Sequence, residues 1–159
     1  MKVIKKVLII AVCIAIVLTL WFIFSNSLKP SNESLKTSEG VYEQVKEPIE
    51  AVVGKGKVTH SIFRKMAHVF EFFVLGLEVA LLFTLILGLK LKNLIWTFIF
   101  GVSVAIIDES LQNISKRTAS VTDVFIDIAG FTFAVIISYG VYYLTKFLKN
   151  RFVTKKQEN

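Results

Sequence analysis

The sequence predicts an all-α membrane protein: a bundle of four transmembrane helices in a single domain, residues 1–159, with an extracytoplasmic loop that carries a short interfacial helix. Two observations carry this expectation. The chain is 54% hydrophobic with a mean hydropathy of +0.64, more apolar than an ordinary soluble domain. Its apolar residues are also gathered into runs close to the roughly 20 residues that a helix needs to cross about 30 Å of hydrocarbon.

The first run, residues 7–24, follows a basic start at Lys2, Lys5 and Lys6. A cleaved signal peptide is not expected there, because the run exceeds the usual core of about 7 to 15 residues and no Ala-x-Ala-like site follows it. A polar stretch then reaches to about Ser61, punctuated by Pro30, Gly40, Pro48, Gly54 and Gly56. Within it Val41, Val45, Ile49 and Val52 recur at near-helical spacing among Glu and Lys, the pattern of a short helix lying in the interface. Pro48 counts against it.

The remaining spans are expected at residues 67–89, 94–111 and 121–144, with a cytoplasmic tail at 145–159. Gly88, Lys90, Lys92 and Asn93 form a turn, and so tight a connection makes the helices on either side antiparallel. Gly76, Gly101, Gly130 and Gly140 are read as points where helices pack closely. Trp21 and Trp96 are read as anchors at the membrane interface.

A net charge of +7 and a pI near 9.5 would suit nucleic acid, but the basic residues lie in tails and loops flanking the apolar runs. Anionic lipid headgroups explain them better, and no nucleic-acid partner is expected. The purely basic flank of the first helix places both termini in the cytoplasm of a multi-pass cell-membrane protein. The loop carboxylates Glu33, Glu39, Glu43, Glu47 and Glu50 then fall outside. Cys13 is the only cysteine, so the chain has no intrachain disulfide and no cysteine-rich metal site.

The residues that carry chemistry are the ionisable ones intruding on the apolar spans, because a charge at mid-bilayer costs roughly 2.5 to 3.5 kcal/mol on insertion scales. Arg64, His68, Glu71 and Glu78 share one face of the second span, with Lys65 beside them. Asp108, Glu109 and Gln112 end the third span; Asp123 and Asp127 begin the fourth. In the expected topology these three groups and Arg117 meet at the outer surface, and Arg64 is expected to pair with Asp108.

Several roles stay open for this cluster. Its charges fit a lock that fixes the register of the bundle, or a site for a polar headgroup or peptide. His68 with the carboxylates is chemically able to hold a divalent ion, but Arg64 and Arg117 oppose a cation, so no metal and no cofactor are expected. Acid–base chemistry is open in kind, yet no activated Ser or Cys stands out and no catalytic residue is assigned. Glu78, roughly 20 Å deeper than Arg64 at about 1.5 Å per residue, reads as a carboxyl hydrogen-bonded to another helix.

The pieces Phe24-Ser25-Asn26-Ser27, Arg64-Lys65-Met66-Ala67-His68-Val69-Phe70-Glu71-Phe72 and Asp108-Glu109-Ser110-Leu111-Gln112, continued by Arg117, Asp123, Asp127 and Gly130, resemble the VanZ-like membrane proteins, named after a teicoplanin-resistance protein. The chain departs from that pattern at Phe72, often Tyr, at Asp127, often Asn, and at Ile114-Ser115-Lys116, where the family often has Phe-x-Pro-Gly. The resemblance implies reduced susceptibility to lipid-bearing glycopeptides such as teicoplanin without alteration of the peptidoglycan target. The partners it implies are membrane lipids and a lipid-linked envelope precursor or a glycopeptide. The alternative is a membrane enzyme acting on a lipid-linked envelope substrate through the same His, Glu and Asp cluster.

Overall fold

Five helices follow one another in a computed structural model that describes residues 2–88, 90–115, 117 and 120–157: α1 (Lys2–Ser27), α2 (Ser31–Val53), α3 (His60–Leu87), α4 (Leu91–Ile114) and α5 (Val121–Gln157). No strand occurs among the described residues. Four helices, α1, α3, α4 and α5, are long and apolar enough to cross a membrane. In hydrocarbon each backbone N–H and C=O must find its partner inside the segment, which a helix alone achieves for a single span. The helices outrun the expected spans because backbone hydrogen bonding continues past the last apolar residue. Thus α3 begins at His60 rather than 67, and α5 carries the expected tail on as helix to Gln157. Leu89, Lys116 and residues 158–159 lie outside the described residues.

The polar stretch after α1 is more ordered than its composition predicts. Instead of a loop with a short helix, α2 runs for 23 residues and passes through Pro48. Its one buried residue is Tyr42, whose hydroxyl donates to Val58 O at 2.6 Å. The Tyr42 ring tilts against Phe63 at 5.5 Å and His60 at 5.7 Å, and Ser38 Oγ lies 2.9 Å from His60 Nε2, so Tyr42 and Ser38 pin α2 to the start of α3. Gly54, at φ 98°, ends the helix, a conformation that costs glycine little because it has no Cβ.

Local capping sets the other boundaries. The Thr59 side chain accepts from Ile62 N to start α3, the usual service of an N-cap threonine. Gly88, at φ 69°, ends it, and Asn93 Nδ2 donates to Gly88 O at 2.8 Å to close the expected tight turn.

The core lies where α3, α4 and α5 meet around Phe72, Leu75, Val79 and Phe131, joined by Ile16 and Ile23 of α1. Small residues permit this approach. A Cβ on Gly76 would stand 2.6 Å from Phe131 O and 2.8 Å from Ala134 Cβ; one on Gly101 would enter the Phe131 ring, and one on Gly130 would strike Val69 O. Gly140 does not belong with them, since nothing comes within 4 Å of its added Cβ. Outward-facing Leu, Ile, Val and Phe side chains ring the bundle, and Trp21 and Trp96 are exposed among them, as suits side chains that meet lipid.

Candidate functional site

The end of α1, the start of α3, the end of α4 and the start of α5 converge at one end of the bundle. Ser27 ties two of them together. Its hydroxyl donates to Asp108 Oδ1 at 2.5 Å, while its carbonyl accepts from Ser115 Oγ at 2.8 Å, just beyond α4. Gln112 Nε2, one helical turn on from Asp108, donates to the other carboxylate oxygen at 3.0 Å. Asp108 is fully buried with both oxygens engaged.

Glu109 has a different task. Its Oε1 accepts from Ser120 N, the residue whose carbonyl receives the first backbone bonds of α5, from Asp123 and Val124. A carboxylate at a helix N-terminus meets both an orphan donor and the positive end of the helix dipole. The end of α4 thereby fixes where α5 begins.

His68 of α3 and Asp127 of α5 face one another, with Nδ1 3.6 Å from Oδ1. Asp127 is 1% exposed, and neither of its oxygens has a hydrogen-bond partner among the described residues. One ligand atom from each of His68, Asp108 and Asp127 lies within 4.8 Å of the others. Nearer solvent, Lys65 pairs loosely with Asp123 at 3.9 Å; exposed pairs of this kind contribute about 0 to 1 kcal/mol.

Ten of the eleven polar residues singled out in the sequence, all but Glu78, therefore fall at this end of the bundle, but not all in the expected pairs. Arg64 makes no ion pair with Asp108 among the described residues. Asp108 is taken by Ser27 and Gln112, and Arg64 instead lines two cavities. Ser27 belongs to the site although its charge-free side chain gave no electrostatic reason to include it. Its place at the end of a membrane helix, within Phe24-Ser25-Asn26-Ser27, is the only sequence signal it leaves. Glu78 lies well away from the cluster and accepts from Thr19 Oγ1 of α1 at 3.0 Å.

Among the described residues, cavities open along this end, three of which share walls. The first, about 290 Å³, is lined by Arg64, Lys65, His68, Gln112, Arg117 and Asp123, with Ser31, Ser61 and Ile126. The second, about 390 Å³, shares Arg64, His68 and Arg117 with the first, adds Phe22, Phe63 and Ala67, and has Ser34, Thr37, Ser38 and Val41 of α2 as one wall. The third, about 310 Å³, shares Phe22 and Glu71 with the second and runs between α1 and α3 past Leu18, Phe70 and Val74. Burial pushes the Arg117 guanidinium below its ordinary value, Arg64 acts in the same direction, and Asp108, Glu109 and Asp123 oppose both.

Comparison with curated proteins and with solved structures finds no match. The VanZ/LLP1 family matches residues 12–145, a stretch that holds all four apolar helices in whole or in large part and every residue of the polar site. The chain belongs to the VanZ/LLP1 family.

Proposed function

We propose that the polar end of the bundle holds the anionic headgroup of a lipid-linked cell-envelope component while the groove between α1 and α3 receives its chain. Holding or shielding that component is what lowers susceptibility to lipid-bearing glycopeptides such as teicoplanin. The observation that carries this reading is the succession of cavities through shared walls, from one bordered by Arg64, Lys65 and Arg117 to one bordered by Leu18, Phe22 and Phe70. Arginine forks suit phosphate and carboxylate oxygens. The apolar groove suits an acyl or prenyl chain, and an amphiphile satisfies both at once.

This reading requires the polar end to face the outer leaflet, with both termini cytoplasmic. Reporters fused after Asn26 are expected to read extracytoplasmic, and reporters at Lys90 and Asn159 cytoplasmic. A cytoplasmic signal after Asn26 would invert the bundle and remove the site from the envelope.

The binding itself is tested by mass spectrometry of lipids and wall precursors that co-purify with the protein in mild detergent. The wild type is expected to retain an anionic amphiphile. Arg64→Gln and Arg117→Gln are each expected to weaken retention about 10- to 150-fold, since a hydrogen bond to a charged group is worth about 1.5 to 3 kcal/mol. In a susceptible Gram-positive host the wild type should raise resistance to teicoplanin more than to vancomycin, and the double variant should not. Equal retention by wild type and double variant would overturn the headgroup assignment. Chemical conversion of the retained lipid, abolished by Asp108→Asn, would replace binding with the enzyme reading.

A further inference from the structure

We infer that His68, Asp108 and Asp127 form a binding site for one divalent metal ion of the zinc class. The three donors come from α3, α4 and α5, and one atom from each lies within 4.8 Å of the others. Two ligands about 2.1 Å from the same tetrahedral ion stand roughly 3.4 Å apart. The His68 Nδ1 to Asp127 Oδ1 separation of 3.6 Å already has that size.

The unpartnered atoms point to a ligand independently of this spacing. Asp127 is 1% exposed, and both its oxygens, together with His68 Nδ1, lack a hydrogen-bond partner among the described residues. Buried polar atoms are seldom left in that condition. A proton on Asp127 would cancel the charge without giving either oxygen a partner at hydrogen-bond distance; a cation shared with His68 satisfies both residues. Asp108 is prepared for the same role. Ser27 and Gln112 each hold one of its oxygens and leave a lone pair free on each, the way outer partners orient a metal-bound carboxylate.

The two arginines opposed a cation when only the sequence was considered. Among the described residues neither forms an ion pair with Asp108 or Asp127, so no guanidinium occupies the place between these carboxylates and His68, although Arg117 stays within electrostatic reach of Asp108. One imidazole with two carboxylates suits Zn²⁺ and also Mn²⁺, and leaves a further coordination position open. The site stands on these donors alone and holds whether or not the neighbouring cavities take a lipid headgroup.

The test begins with full-length protein purified in mild detergent without chelator, followed by elemental analysis. It continues with chelation and calorimetric titration with Zn²⁺ and Mn²⁺. The expected result is about one ion per chain, rebinding tighter than micromolar, and at least a roughly 10-fold weaker affinity in Asp127→Asn, since changes even to outer partners cost about 10- to 100-fold. If that variant does not fold, X-ray absorption of the zinc-loaded wild type decides, with one imidazole nitrogen and carboxylate oxygens expected in the first shell. Absence of stoichiometric rebinding by the wild type overturns the proposal. Wild-type affinity in a folded Asp127→Asn, or a shell without imidazole, does the same.

Discussion

Gly130→Leu is expected to destabilise the bundle by about 3 kcal/mol or more, at or above the upper end of the usual cost of overpacking a tight core. The obstacle is backbone. A Cβ at Gly130 meets Val69 O, which has no rotamer through which to retreat, so α3 and α5 must separate. Gly130→Ala is expected to lose about 1 to 3 kcal/mol by the same route. Gly140→Ala, on the same helix with nothing within 4 Å of the added Cβ, should be neutral or gain up to about 1 kcal/mol of helix propensity. Reversible unfolding in mixed detergent micelles measures all three. Indistinguishable stabilities for Gly130→Ala and Gly140→Ala would show that α3 and α5 do not approach as closely as described.

The same contact reaches the site. Val69 follows His68 on α3, and Gly130 lies three residues beyond Asp127 on α5. The absent Cβ at Gly130 therefore lets the two helices close to the distance at which His68 and Asp127 face one another at 3.6 Å. Packing and chemistry are here consequences of one residue choice. Spreading the helices at Gly130 also moves Asp127 away from the imidazole.

The sequence discloses the membrane helices because the bilayer imposes a length and an apolarity that few alternatives meet. It also discloses the end at which Arg64, His68, Asp108, Asp123 and Asp127 assemble, because each is costly in hydrocarbon and each lies near the same end of its span. Hydropathy does not encode how a helix is rotated about its axis, and pairing depends on that rotation. Arg64 and Asp108 are plausible partners by depth alone, yet Ser27 and Gln112 occupy both oxygens of Asp108. The extent of α2 was hidden for a related reason. Its apolar pattern spans only Val41 to Val52, Pro48 interrupts it, and what holds it are contacts the sequence does not pair: Tyr42 with Val58 O, His60 and Phe63, and Ser38 with His60. Gly140 has the same composition signal as Gly130; only the position of the neighbouring helix separates them.

The pairing of Ser27 with Asp108 leads to the second large expected effect, read by a double-mutant cycle. Ser27→Ala removes a hydroxyl that donates at 2.5 Å to a fully buried carboxyl group, leaving that oxygen without its donor. Loss of a hydrogen bond to a charged group costs about 1.5 to 3 kcal/mol in soluble proteins, whereas couplings between membrane helices average about 0.6 and reach about 1.7 kcal/mol. Asp108 combines burial with a short bond, so a coupling of about 1 to 2 kcal/mol is expected between Ser27→Ala and Asp108→Ala, at the upper part of the membrane range. Arg64→Ala combined with Asp108→Ala should add within about 0.5 kcal/mol, as residues without a shared bond do. Unfolding in mixed micelles supplies the four stabilities of each cycle. The reverse pattern, coupling for Arg64 and additivity for Ser27, would assign Asp108 to the arginine and detach the end of α1 from the site.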